Sequence, residues 1–251
     1  MKDYKKRIIG GLLVFGCLIV LLKVASNYFS IPFYTYPNFG IKIPPGYKRI
    51  GIDISHHQDK INWKQVSEMR DLGKKVDFVF MKATQGNYLS DKQFKRNWSE
   101  AEEYKIKRGA YLFFDPRRDG RSQAQYFINR VKLKKGDFAP VIDFEDLYGV
   151  SKKVARHEFK ACAYTLKSHY GIQPILYTYS DFYRQNLNES FQKFPLWIAH
   201  YKSWGKPRID HDYYFWQFSD RGRMNGIKGH VDFNVSNMGD SKLNKLRIDM
   251  D

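Results

Sequence analysis

The chain has 251 residues, 43% of them hydrophobic and 17% aromatic, which is enough to bury one full-sized core and too apolar for a disordered chain. Its two cysteines, Cys17 and Cys162, exclude a disulfide-stapled scaffold and a multi-cysteine zinc site. A net charge of +17, from 43 Lys and Arg against 26 Asp and Glu, points to an anionic partner.

At the N-terminus Lys2, Lys5, Lys6 and Arg7 precede an apolar run, Ile8–Leu22. Extended through Ala25, the run reaches about 18 residues, the short end of what spans a bilayer. Residues 1–26 therefore read as a transmembrane signal anchor that leaves the rest of the chain outside the cytoplasm. A signal peptide cleaved after Ser26, giving a secreted protein, is the alternative; Lys23 and the lack of an A-x-A pattern favour the anchor. Residues 1–30 carry a charge of +4, so +13 remains on the remainder. Outside a cell such a surface suits anionic cell-envelope polymers, and no nucleic-acid motif is present. Residues 27–47 contain Pro32, Pro37, Pro44 and Pro45 and read as a linker without regular structure.

From Lys48 onward strand and helix patterns alternate. Strands are expected at Arg49–Ile54, Phe78–Ala83, Arg108–Phe114, Ala139–Phe144, Pro174–Tyr179, Leu196–His200, Tyr214–Phe218 and Val231–Asn234. Helical spacing links Phe94, Trp98 and Ala101. It also links Ala124, Phe127, Ile128 and Val131 behind a Ser122 cap, and Ala155, Phe159, Cys162 and Leu166 between Ser151 and Gly171. The later connections are too short or too Gly-rich for good helices. The pattern predicts an α/β fold over residues 48–240, a trimmed (β/α) TIM-like barrel with eight strands and fewer helices, and a tail over 241–251. An open doubly wound sheet is the alternative. No G-x-G-x-x-G follows a strand, so no dinucleotide cofactor is expected. His56 and His57 lack metal-ligand spacing, so no metal is expected either.

Acidic side chains recur where the strands end: Asp53 in "GIDIS", Asp143 and Glu145 in "VIDFED", Asp232 in "VDFN". Carboxylates inside apolar strands are costly unless paired or functional. Asp143 and Glu145 lie two apart on one strand, so both project to one face about 6.6 Å apart at Cα. Carboxyls that close raise one another's proton affinity. One can then stay protonated as an acid while the other stabilises positive charge, a division of labour that suits acetal cleavage. The same acids could instead pair with Lys82 or arginines, or bind a metal. Lys82, Tyr111, Tyr177, Trp197, Tyr201 and Gln217 lie near the same strand ends and are candidate substrate-binding residues.

The ordered series "GIDISHHQDKINW", "FVFMKATQG", "RGAYLFFDP", "VIDFED", "LWIAHY" and "WQFSDRGRMNGIKGHVDFN" resembles glycoside hydrolase family 25, the muramidases that cut peptidoglycan glycan strands. The resemblance covers nearly all of Lys48–Met238. It implies a trimmed barrel, hydrolysis of the β-1,4 bond from N-acetylmuramic acid to N-acetylglucosamine, and no cofactor. It further implies that Glu145 is the general acid, that Asp143 stabilises or orients the reacting centre, and that Asp53 and Asp232 complete the site. In this family the substrate's own N-acetyl group is often proposed as the nucleophile. Three positions depart from the family pattern: Gln85 where Glu is frequent, Leu112 where His is common, and Asp59 where Gly is usual. The first two motivate a second reading, a non-catalytic wall-binding barrel. A chitinase-type glycosidase is the third, since chitinases also carry an acidic D-x-E strand end.

Overall fold

The computed structural model describes residues 16–21, 35–187, 189–201, 203 and 205–249. The chain divides into two units, residues 1–34 and 35–251. Of the first, only residues 16–21 are described, and they are helical. The rest of the apolar segment expected to cross a membrane lies outside the described residues. Among the described residues no helix is long and apolar enough to do so.

The second unit is built on strands β3 (Arg49–Ile54), β4 (Val76–Gln85), β6 (Lys107–Phe113), β7 (Val141–Asp143), β8 (Ile175–Tyr179), β9 (Leu196–Ala199), β10 (Phe215–Gly222) and β11 (Val231–Ser236). Their order is β3-β11-β10-β9-β8-β7-β6-β4, and β4 pairs back with β3, so the sheet closes into an eight-stranded barrel. Seven strands run parallel; β11 is antiparallel to both β10 and β3. A two-residue strand, β5 (Leu89–Ser90), hangs on β4. The helices are few: α1 (Trp63–Glu68), α2 (Phe94–Glu103), α3 (Gly120–Ile128), α4 (Lys152–Tyr170), α5 (Ser180–Asn186) and α6 (Asp240–Asn244). The long α4 has both signals its sequence advertises: the Ser151 side chain accepts from the Val154 N–H, and Gly171 ends the helix in a left-handed conformation. The cap of α3 is Asp119 rather than Ser122. The Asp119 carboxylate accepts from both the N–H and the hydroxyl of Ser122.

Strand alternation divides the core in two. On β4, Val79, Met81 and Ala83 pack outward under the helices, while Phe78 and Phe80 point inward. Inside, Phe80 stacks on Trp197 at 4.4 Å between centroids, and Phe215 lies 5.1 Å from Phe78 and 5.5 Å from Phe138. Rings of this size fit only because two inward positions are glycine. A Cβ on Gly51 would come within 2.1 Å of the Phe78 ring, and one on Gly109 within 2.5 Å of the Phe80 ring. Each buried ring contributes about 1.5–3 kcal/mol of burial, so the interior is a packed aromatic column rather than a channel.

Two stretches expected to be irregular are part of this unit. Within 27–47, β1 (Thr35–Tyr36) pairs with β2 (Ile41–Lys42), and Phe39, Ile41 and Ile43 are buried. Pro37 and Pro45 mark turns around an apolar ribbon rather than an extended tether. The tail contributes α6 and buries Leu243, Leu246 and Ile248 against the N-terminal ends of the strands. There the Ala139 N–H donates to the Leu246 carbonyl, and the Ile248 N–H to the Asp137 carbonyl.

Candidate active site

One step up the inward faces the aromatic column gives way to polar groups. The inward series Phe78, Phe80 on β4 continues to Lys82, Gly51 on β3 to Asp53, Val141 on β7 to Asp143 and Glu145, and Phe215 on β10 to Gln217. Asp53, Lys82, Tyr111, Asp143, Glu145, Tyr177, Trp197, Tyr201, Gln217 and Asp232 all line one cleft at the C-terminal ends of the parallel strands. Asp232 reaches this end because its strand is antiparallel: it lies near the start of β11, directly opposite Asp53.

The cleft holds two carboxyl pairs. In the first, the Asp53 Oδ2 accepts from Gln217 Nε2 at 2.8 Å and from Asn234 Nδ2 at 2.7 Å. Both amides are fixed from behind. Trp197 Nε1 donates to Asn234 Oδ1 at 2.7 Å, and the Tyr201 and Tyr177 hydroxyls each lie 2.7 Å from Gln217 Oε1. With their oxygens facing donors, the amides must turn their N–H groups to Asp53, which therefore receives them as an acceptor. Burial raises Asp53 to about 6, the two amide donors opposing. Burial and the neighbouring Asp53 charge raise Asp232 to about 8. Asp232 thus keeps the pair's proton at neutral pH and donates it to Asp53.

In the second pair, burial and the adjacent Glu145 charge drive Asp143 well above the ordinary carboxylate range. Its Oδ1 is buried without a hydrogen-bond partner among the described residues, an environment that favours the neutral form. Burial raises Glu145 as well, while the hydrogen bond from Asp143 favours its charged form. At rest the shared proton sits on the more buried Asp143. Glu145 is half-buried and faces the cleft. Lys82 donates to Gln85 Oε1 at 2.9 Å and lies 4.6 Å from the Phe113 ring centroid. Its charge reaches Asp143 and Glu145, yet no ion pair closes on either acid among the described residues.

Ile54, Ser55, His57, Gln58, Phe113 and Tyr179 also line the cleft and were not among the expected site residues. Three of them were readable by continuing the two-residue period: Ser55 after Asp53, Phe113 after Tyr111, Tyr179 after Tyr177. His57 and Gln58 come in on a short 3₁₀ turn capped by Ser55 and Gln58, for which strand periodicity gives no signal. Of the departures, Leu112 is fully buried on the outward face under the helices and does not reach the cleft. Asp59 has φ of 49°, the region where glycine is the easiest residue, and its carboxylate accepts from Gln93 Nε2 at 3.0 Å. Among the described residues no group of three His, Cys, Asp or Glu is arranged to hold a metal ion.

Comparison with known proteins agrees with this geometry. The family model for glycosyl hydrolases family 25 matches residues 52–227. The uncharacterized protein YegX of Escherichia coli strain K12 is 40% identical over 213 residues, covering 82% of this chain and 77% of its own. The autolytic lysozyme of Clostridium acetobutylicum is 33% identical over 190 residues, covering 75% of this chain and 56% of its own. A solved family 25 glycosyl hydrolase from Bacillus anthracis superposes with a TM-score of 0.73 at 26% identity, covering 81% of this chain and 95% of that one. The chain therefore belongs to glycosyl hydrolases family 25.

Proposed function

We propose that the chain is a muramidase that hydrolyses the β-1,4 bond between N-acetylmuramic acid and N-acetylglucosamine in peptidoglycan. The observation that carries this reading is geometric: the carboxyl pairs Asp143/Glu145 and Asp53/Asp232, from separate strands, line one cleft. A sugar seated over Glu145 strips its remaining water and raises its proton affinity. The proton held on Asp143 then passes along their hydrogen bond to Glu145 and on to the glycosidic oxygen. The C1–oxygen bond breaks, and ionised Asp143 faces the positive charge developing at the ring. Water supplies hydroxide to C1 and returns its other proton to the acid pair, so the site ends as it began. Asp53 and Asp232 orient groups on the sugar from the opposite strands, Tyr111, Tyr177 and Gln217 hold them in place, Trp197 forms the floor, and Tyr179 and Tyr201 form the rim.

Glu145→Gln removes the group that hands the proton to the glycosidic oxygen while keeping the side chain's shape. A positioned acid contributes on the order of 10²–10⁴ in rate. The variant should lose at least about 100-fold of the reducing ends released from purified sacculi, with an unchanged thermal unfolding curve. Full release by the folded variant would remove Glu145 from this role. Binding to sacculi with no turnover by the natural chain would instead favour a wall-binding barrel.

The same reading places the barrel outside the cytoplasm, where its substrate lies, with residues 1–26 as its membrane tether and a basic surface suited to anionic envelope polymers. Full-length chain should stay with the membrane fraction through a high-salt wash, and a chain lacking residues 1–26 should not. Equal release of both by salt alone would leave only an electrostatic association.

A further inference from the structure

Beside the cleft, on the side of β4, β6 and β7, the surface carries an ordered pair of arginines that the bond-cleaving chemistry does not use. Asp115, just past β6 and almost fully buried, accepts from Nε and Nη2 of Arg117, both at 2.8 Å, and lies 3.5 Å from Nε of Arg118. The Arg117 guanidinium lies 4.4 Å from the Tyr148 ring centroid, and that of Arg118 lies 4.4 Å from the Tyr88 centroid. Each arginine side chain is about half exposed, 51% and 46%, and the two tyrosines are exposed at 38% and 45%. These are large, rigid groups held at the surface by a buried carboxylate, an arrangement that burial alone does not reward. Tyr148 also adopts φ of 47°, a conformation costly for a tyrosine, with its N–H held by Asp146 Oδ1 at 2.8 Å.

The platform is linked to the cleft by hydrogen bonds. Gln85 bridges the two: its Oε1 accepts from Lys82 at 2.9 Å, and its Nε2 donates to the Tyr88 hydroxyl at 3.1 Å. Tyr148 follows Glu145 by three residues. The two guanidiniums are met by Asp115 and, beside Tyr148, by the exposed Asp146, and Lys82 adds a third positive charge. Guanidinium forks match carboxylates in shape and charge. We propose that Arg117 and Arg118, shelved on Tyr148 and Tyr88, form a subsite for the carboxylates of the acidic peptide carried by the glycan substrate. This rests on the muramidase reading and adds to it a recognition element for the peptide rather than the sugar. Glutamine at 85 belongs to the same design: a carboxylate there would draw Lys82 into an ion pair and cancel charge between cleft and platform.

The test compares soluble glycan strands with free peptide carboxylates and the same strands with those carboxylates capped as methylamides. For the natural chain, capping should raise KM on the order of tenfold, as expected for losing a charge-assisted hydrogen bond. The Arg117→Gln/Arg118→Gln double variant should have the high KM on the free strands and no response to capping, whereas Arg117→Lys/Arg118→Lys should regain part of the response. An unchanged KM for the natural chain on capping, or an equal response in the Gln double variant, would overturn the subsite and leave the arginines a purely structural clamp. If the natural chain cleaves neither strand, the muramidase reading fails by itself. Calorimetric titration with muramyl dipeptide then decides the subsite: weaker binding to the Gln double variant supports it, and equal binding overturns it.

Discussion

Asp232 and Asp53 face one another as direct partners across two strands, and that placement makes the protein's stability depend on pH. The Asp232 carboxyl moves from 3.8 to about 8 on folding and that of Asp53 from 3.8 to about 6. An acid whose proton affinity rises on folding binds its proton more tightly in the folded chain. Its contribution to stability is whole below about pH 4 and is lost as pH rises through the folded value. The Asp143/Glu145 pair is displaced in the same direction and adds to the slope. Stability should therefore fall between about pH 4 and pH 8. Asp232→Asn keeps a hydrogen-bond donor toward Asp53 and removes the titrating group. Its melting temperature should drop less steeply over that window than that of the natural chain. Parallel profiles measured by calorimetry would mean that Asp232 does not carry the pair's proton. The four acids were legible in the sequence because charge inside an apolar strand is conspicuous. Unequal protonation was expected for Asp143 and Glu145 from their two-residue spacing; for Asp53 and Asp232 it was not, since it depends on the backing amides of Gln217 and Asn234, which come together only when β10, β11 and β3 close.

At the scale of elements, the strand pattern was the most readable feature. All eight expected barrel strands are present, with ends displaced by at most a few residues: Arg49–Ile54 is reproduced as read, while the strand expected at Phe78–Ala83 runs Val76–Gln85. The reason is physical. Most positions on both faces of the barrel strands are buried, so each strand writes an apolar or aromatic run broken mainly by the polar residues at the cleft and at the strand ends. The direction of β11 was hidden, because pairing leaves no mark on composition. It nonetheless settles why Asp232, near the start of its strand, meets residues at the ends of the others. The ribbon β1–β2 was hidden for the opposite reason. Two-residue strands are too short to show a period, and Pro37, Pro44 and Pro45 dominate the local signal, although Phe39 and Ile41 are what dock the segment. Leu112 shows the value of the two-residue period within a strand. It lies between Tyr111 and Phe113, which line the cleft, and so must face outward. A substitution at that position reads as a substrate contact only until the alternation is applied.

For the whole molecule, the barrel separates what holds it together from what it does. Chemistry occupies the C-terminal ends of the strands; the opposite end is closed by the chain's own last turns. Leu243 and Leu246 pack into the interior cluster with Phe78, Phe138 and Phe215, and Phe138 bridges to Arg247. Without this plug the aromatic column would meet water at its base. Leu246→Ala should cost about 2–4 kcal/mol, the range for truncating a fully buried leucine. For a unit of this size that lowers the melting temperature by about 5–15 °C. Turnover per folded molecule should be retained well below the transition, because the plug closes the end of the barrel opposite the cleft. Glu145→Gln has the converse signature, with the melting temperature kept and turnover lost. Measuring melting temperature and specific activity on both variants checks the separation directly. A Leu246→Ala chain that stays folded but loses activity in step with its stability would show that the plug and the carboxyl dyads are coupled through the column of rings between them.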